Sequence, residues 1–253
     1  MKRIALILFI IFLVNNASYC QGEIDNEGNL LFRNESSLAI NMYSNGWGVD
    51  YRSGKWLDAF KKRIFSGAII FTKDPKEYKD NPRSPHYSNF VFGKENSFFS
   101  IRGGYGFQRE IFSKFDKGGI AIRYYYQGGP LIGFLKPIYY NRITGIDQTK
   151  NEYITEEQKF NKDNIHSPYD ILNKASVFKG FNEIKLRMGL FLESGVSFEF
   201  GQSTQRMNAI EAGICVNVFH KRVQIMAVEK PNWFFLSLFV SYRFGKIKDA
   251  RYK

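Results

Sequence analysis

From Trp233 to Phe244 the chain alternates with a period of two. Leu236, Leu238, Val240, Tyr242 and Phe244 fall on one set of positions, and Ser237, Phe239, Ser241 and Arg243 on the other. In an extended strand that period sends one set to each face. The pattern recurs upstream. Leu38, Ile40 and Met42 share a face, as do Phe65, Ile69 and Phe71. Phe99, Ile101, Tyr105 and Phe107 oppose Ser100, Arg102, Gln108 and Glu110. Ile120, Ile122, Tyr124 and Tyr126 oppose Arg123, Tyr125 and Gln127, with the same parity running on through Ile132, Phe134 and Ile138. Ile184 to Leu192 opposes Glu183, Lys185, Arg187 and Glu193, and continues through Val196, Phe198 and Phe200. Ile210, Ala212, Ile214, Val216 and Val218 oppose Glu211, Gly213, Cys215 and Asn217. These runs predict strands near 37–44, 47–53, 58–72, 96–110, 118–141, 181–200, 206–219 and 232–244.

The connections sort by length. Asn45-Gly46 is a two-residue hairpin signal that pairs Ser44 with Trp47 and carries the apolar face on through Val49 and Tyr51. The connections after the third, fifth and seventh strands, near 73–95, 142–180 and 220–231, are long and polar. Those near 54–57, 111–117 and 201–205 are short. Gly103, Gly104 and Gly106 allow a sharp bend or a close neighbour. A break at Gly128-Gly-Pro130 would split the longest strand, and splitting the longest segments would give ten strands rather than eight. Thr144 to Lys179 shows no amphipathic helix, at most a helical turn.

One apolar face is also what a soluble sheet has, so alternation alone does not decide. The opposite face, however, carries mid-strand charges of both signs, which suits a water-filled or ion-paired lumen with lipid outside. Short turns at one end and long loops at the other, with an even strand count, complete the expectation. It is an all-β chain forming a closed, antiparallel, up-and-down transmembrane β-barrel of eight strands, ten being the alternative. Closure is required because an open edge in hydrocarbon leaves N–H and C=O groups unpaired. Eight strands enclose a space that side chains fill.

The closing strand, with Tyr242 and Phe244 at its end, resembles the terminal strand of small bacterial outer-membrane β-barrel proteins. The pattern covers nearly all of the chain; as a motif the resemblance covers the closing strand alone. It departs at the end, because a basic tail follows. The resemblance implies a place in the cell outer membrane and insertion by the barrel-assembly machinery.

Met1-Lys2-Arg3 followed by the apolar run Ile4 to Val14 predicts a secretory signal peptide, residues 1–20, cut before Gln21. A short periplasmic lead (21–35), the barrel domain (36–244) and the basic tail (245–253) follow. With 36 basic residues less Lys2 and Arg3, against 24 acids, the exported chain carries 34 − 24, about +10. Cys20 leaves with the signal, so Cys215 has no partner within the chain. No run of 18 apolar residues marks a membrane helix.

Nine charges form the candidate lumen network: Arg102, Glu110, Arg123, Glu183, Lys185, Arg187, Glu199, Glu211 and Arg243. They predict an ion-paired plug; a narrow porin-like conduit for polar solutes is the alternative. His86, His166 and His220 fall in the long loops. Ser84-Pro-His86 and His166-Ser-Pro-Tyr-Asp170 supply the groups of a lipid hydrolase or acyltransferase, a third reading for which no motif speaks. No metal-ligand spacing appears, and no catalytic or cofactor-binding residues are assigned. Gly103-Gly-Tyr-Gly106 sits inside a strand and is not a phosphate loop. The basic residues of an exported chain point away from nucleic acid. They point to outer-membrane lipid, lipopolysaccharide phosphates near Lys221, Arg222 and Lys230, and a periplasmic or envelope protein partner of the tail residues Lys246, Lys248 and Arg251. The expected role is therefore structural or one of envelope interaction.

Overall fold

The computed structural model describes residues 33–58, 60–80, 89–114, 119–147, 152–160, 165–200, 206–227 and 230–249. The expected signal peptide, most of the lead, His86 and the last residues of the tail lie outside them. The described residues form thirteen strands: β1 (Arg33–Tyr43), β2 (Gly46–Trp56), β3 (Lys61–Thr72), β4 (Lys79–Asp80), β5 (Phe90–Val91), β6 (Asn96–Phe112), β7 (Ala121–Pro137), β8 (Tyr139–Asp147), β9 (Glu152–Lys159), β10 (Ile171–Lys174), β11 (Lys185–Phe200), β12 (Arg206–Val223) and β13 (Asn232–Asp249).

Eight of these close a barrel in the order β1-β13-β12-β11-β7-β6-β3-β2. Every neighbouring pair is antiparallel, and β1 pairs with both β2 and β13, so no edge is left. The strands excluded from the barrel lie in two long connections. β4 and β5 pair with each other between β3 and β6, and β8, β9 and β10 form a three-stranded sheet between β7 and β11. That small sheet occupies the stretch expected to be an irregular loop. Its strands have little consistent alternation (β9 reads Glu-Tyr-Ile-Thr-Glu-Glu-Gln-Lys), which is why the period-two reading passed over them.

The wall is longer at both ends of the chain than the alternation indicated. Arg33–Glu35, assigned to the lead, and Gly245–Asp249, assigned to the tail, pair with each other from Arg33↔Asp249 to Ser37↔Gly245. Polar side chains hid this extension from a reading based on apolar period.

β7 runs unbroken through Gly128-Gly-Pro130, so eight strands close the barrel rather than ten. The pairing of β7 with β6 is interrupted between Arg102↔Leu131 and Tyr105↔Gly128, and its register shifts once more between Glu110 and Phe112 at the short-turn end. Gly129 is needed there, because a Cβ on it would stand 2.1 Å from the Gly103 carbonyl oxygen.

The first hairpin turns at Ser44-Asn45, with Tyr43 opposite Gly46 and Met42 opposite Trp47. The expected pairing of Ser44 with Trp47 is thus displaced by two residues. A displacement of two keeps each side chain on its face, so Leu38, Ile40, Met42, Trp47, Val49 and Tyr51 all point outward. Gly46 belongs to the strand because β3 leaves no room beside it; a Cβ would meet the Phe71 carbonyl oxygen at 2.0 Å. The turn is held by its flanks: Ser44 N–H donates to Leu238 O, and Lys73 N–H donates to Asn45 O, each at 2.8 Å.

The alternation resolves into two surfaces. Outward positions of β11 from Leu186 to Phe200 carry no charge, nor do those of β13 from Phe234 to Phe244. Leu190 and Leu192, at 65% and 68% exposed, have nothing from the protein to cover them. Inward positions carry Asp50, Arg52, Lys62, Arg102, Arg123, Glu193, Glu199, Glu211 and Arg243, all buried. This is the reverse of a water-soluble sheet and the arrangement of a barrel whose exterior solvent is hydrocarbon.

Candidate functional site

Three tiers fill the interior. Toward the short-turn end, Glu35 from β1 pairs with Lys62 from β3 and lies 3.7 Å from the Arg123 guanidinium of β7, across the barrel. Arg123 also pairs with Glu199, and its Nε donates to Glu110 at 2.8 Å. Lys114 reaches Glu199 at 3.0 Å. Lys62 Nζ sits 4.4 Å from the centre of the Trp56 ring.

In the middle, Arg52 Nη1 donates to Glu211 at 2.9 Å and Arg243 Nε lies 3.0 Å from the same carboxylate. Arg243 also pairs with Asp50. Arg102 donates to Glu193 at 2.5 Å and to the Tyr43 hydroxyl at 2.6 Å, and stands 3.0 Å from Cys215 Sγ. Gln127 Nε2 donates to Glu193 at 2.8 Å. The Arg52 guanidinium lies over the Tyr125 ring at 4.2 Å. Since β2 and β12, or β6 and β11, are not neighbours in the wall, these contacts cross the lumen. Five buried acids (Glu35, Asp50, Glu193, Glu199 and Glu211) face five buried bases (Arg52, Lys62, Arg102, Arg123 and Arg243), so this group is neutral by 5 − 5. Charges at such low exposure persist only when paired and hydrogen-bonded.

The third tier, toward the long loops, is apolar. Phe98, Leu131, Leu135, Phe191, Phe219 and Val223 form one buried cluster, completed by Val91, Ile225 and Met226 from the loops. Phe98 and Phe219 meet edge-on with centroids 5.3 Å apart. The loop backbones bond to each other over it: Glu95 N–H donates to Ile225 O at 2.9 Å and Ala227 N–H to Gly93 O at 2.7 Å. The mouth is covered.

Six of the nine residues expected in the lumen therefore come together: Arg102, Glu110, Arg123, Glu199, Glu211 and Arg243. The other three do not. Glu183 lies in an exposed 3-10 turn (Phe181–Glu183), paired with Lys159 and accepting the Tyr139 hydroxyl at 2.7 Å. Lys185 is exposed, and Arg187 donates to the carbonyls of Arg222 and Leu186 at 3.2 and 3.1 Å. All three stand at or above the top of β11, where the strand has left the interior layer, and parity alone cannot show where that happens. Glu35, Asp50, Arg52, Lys62 and Glu193 were missed. For Asp50, Arg52 and Glu193 the signal was present, since they alternate with apolar residues; Lys62 stands between two outward basic residues, Lys61 and Arg63, which hide its inward position. Tyr242 and Phe244 lie on the outer wall, their rings 6.2 Å apart.

Above the apolar tier the loop module places four lysines around Tyr140. The Tyr140 hydroxyl, which burial and the nearby Glu77 carboxylate keep protonated, is 2.8 Å from both Val91 O and Lys94 O. Lys79 is opposite Val91 and Lys174 is opposite Tyr140. Lys136 is buried, with its ammonium 4.9 Å from the Phe181 ring. Burial and the charges of Lys136, Lys94 and Lys79 lower the Lys174 pKa, and Glu77, engaged by Lys94 at 2.5 Å, opposes this. Phe90, Ile138, Tyr140, Ile165 and Ile171 give the module its own small core.

The other loop candidates are engaged structurally. Asp170 Oδ2 accepts from the backbone N–H of His166 and Ser167 at 3.0 and 2.9 Å, and Ser167 Oγ accepts from Tyr169 N–H at 3.3 Å, forming a capping box. His220 is exposed on β12, and His86 lies outside the described residues. Among the described residues no cluster of three His, Cys, Asp or Glu is placed to hold a metal ion.

The fold defines a class: a closed, eight-stranded antiparallel barrel with a loop-borne sheet. No protein-family model matches the chain, and no curated protein sequence matches it. Among solved structures it is similar to Ail, the attachment invasion locus protein of Yersinia pestis, at 9% identity over 86% of this chain and 99% of that one, with a TM-score of 0.39. Ail is also seen in complex with the heparin analogue sucrose octasulfate. Neisserial surface protein A matches at 10% identity over 86% and 96% of the two chains, with a TM-score of 0.38. The N-terminal β-barrel domain of Pseudomonas aeruginosa OprF matches at 9% over 85% and 97%, with a TM-score of 0.33. At this identity the likeness carries no functional inference.

Proposed function

We propose that this chain is an outer-membrane barrel that acts through its loop module, as an envelope-interaction protein, and not through its lumen. The observation carrying the proposal is the inversion of polarity between its surfaces: an apolar outer band, free of charge between the rims, around a charge-neutral, side-chain-filled interior. A filled interior favours a rigid scaffold, since a continuous solute path would have to break both the ion pairs and the apolar cap. A scaffold displays something, and what it displays is a folded sheet that carries Lys79, Lys94 and Lys174 at its surface, with Lys136 buried beside them.

Lys79, Lys94 and Lys174 suit anionic groups outside the cell, in the first place the phosphates of lipopolysaccharide. With short turns and both strand ends on the other side, the module stands on the outer face. The test is partition of the refolded protein between vesicles with and without lipopolysaccharide. Preference for the former, lost with rising salt and in a Lys79→Gln, Lys94→Gln, Lys174→Gln variant, supports the reading. Equal partition refutes it. Planar-bilayer recording separates the channel alternative: steady conductance from the unmodified protein would replace the present reading with that one.

A further inference from the structure

Among the described residues, every charged side chain that points outward from a barrel strand at the short-turn rim is basic: Lys55, Lys61, Arg63, Arg109, Arg206 and Lys246. On the three adjacent strands β2, β3 and β6 they stand in direct register, Lys55 opposite Arg63 and Lys61 opposite Arg109. Like charges facing each other across a ladder destabilise a sheet unless something neutralises them. Nothing described in the protein does. Among the described residues no carboxylate is within ion-pair distance of these four, and Arg63 Nε is buried without a hydrogen-bond partner. The nearby acid, Asp58, uses Oδ1 to accept the backbone N–H groups of Phe60 and Lys61 at 3.0 and 2.8 Å.

The cations border a groove of about 510 Å³ lined by Asp58, Phe60, Lys61, Phe107, Arg109, Tyr124 and Tyr126. Its charged end lies at the rim. Its other end is aromatic, with the Lys61 ammonium 4.4 Å from the Phe107 ring and Phe107 5.9 Å from Tyr126. Phe107 and Tyr126 also line a second groove, of about 340 Å³, that continues up the wall past Tyr105, Gly128, Leu192 and Ile214. Gly128, which points outward, opens this second groove by lacking a side chain. The two together form one track, cationic at the membrane–water boundary and apolar along the hydrocarbon.

We propose that this track holds one anionic phospholipid of the inner leaflet. Its phosphate sits between Lys61 and Arg109, and an acyl chain lies over Phe107 and Tyr126 into the dent at Gly128. The assignment rests on the membrane reading above, which places the short-turn end at the inner leaflet. The occupant follows from charge and shape: the site needs an anion at one end and a long apolar body at the other, and the surrounding bilayer supplies both. Anionic headgroups are drawn to basic side chains at this depth.

The test uses the full mature chain refolded into nanodiscs with equal phosphatidylglycerol and phosphatidylethanolamine, followed by mild detergent release and native mass spectrometry. Two basic contacts near a membrane surface give a preference for phosphatidylglycerol of roughly 30-fold. The Lys61→Gln/Arg109→Gln variant should retain both lipids equally. Lys61→Arg/Arg109→Lys should keep the preference, and Gly128→Leu, which fills the dent, should weaken retention at unchanged charge. Lys246→Gln, elsewhere on the rim, serves as control and should match wild type. Equal retention by wild type, or unaltered preference in the Gln double variant, overturns the proposal. Failure of wild type to enter nanodiscs overturns the membrane reading instead.

Discussion

Glu211 is where the interior network can be tested most sharply. Its carboxylate is fully buried and receives Arg52 at 2.9 Å and Arg243 at 3.0 Å, with the Tyr125 and Ser241 hydroxyls at 3.3 and 3.4 Å. Glu211→Ala removes one of five acids, so the count becomes four against five and one guanidinium charge is left uncompensated. Arg243 keeps Asp50, whereas Arg52 keeps only Glu193, at 3.9 Å. Two charge-assisted contacts at roughly 1.5–3 kcal/mol each give about 3–6 kcal/mol, in line with the roughly 3–5 kcal/mol lost when one partner of a buried pair is deleted. Removing the orphaned charge as well should restore much of this. Arg52→Met/Glu211→Ala is therefore expected to recover at least half of the loss, a coupling of about 2 kcal/mol. Equilibrium urea unfolding in lipid vesicles, followed by tryptophan fluorescence and gel mobility, measures both. A single variant within about 1 kcal/mol of wild type, or a double variant that loses the simple sum, would refute the network as a stabilising unit.

Three further outcomes follow. Gly129→Ala, whose Cβ would lie 2.1 Å from a backbone oxygen, should destabilise by roughly 1–3 kcal/mol, while Gly67→Ala, with nothing within 4 Å, should stay within about 0.5 kcal/mol; the same unfolding assay ranks them. Cys215 is buried beside Arg102, so maleimide should label it only after unfolding, and labelling of the folded barrel would contradict the packing. Asp170→Ala removes the carboxylate that accepts two backbone N–H groups and should cost about 1 kcal/mol locally, seen as faster amide exchange at His166 and Ser167 with no change in global unfolding.

The wall was legible because a barrel strand between lipid and a charged interior alternates strictly, and a strand of eight or more such positions leaves few other readings. β13 shows this: its apolar set from Leu236 to Phe244 is the observed outer face. Where polarity stops alternating, legibility stops. Ser36 and Lys246 are both outward and polar, so the last turns of β1 and β13 read as lead and tail until the pairing itself is seen. Across-barrel partners are harder still. Arg102 and Glu193 are 91 positions apart and meet only because β6 and β11 flank β7 and lean across the lumen. The apolar tier escaped entirely, since Phe98, Leu131 and Phe219 hold inward positions that the alternation assigned to the polar face. Ile225 and Met226 sit in a loop that reads as surface. The lysines around Tyr140 needed a loop fold that no periodicity announced.

The polarity inversion can be measured at one outward position. In a chain whose three tryptophans are replaced by phenylalanine, Leu190→Trp puts a single reporter at mid-height on β11. In vesicles of lipid brominated midway along the acyl chain its fluorescence should be strongly quenched, with little effect from aqueous acrylamide. Quenching by acrylamide and indifference to bromine would show that this face meets water.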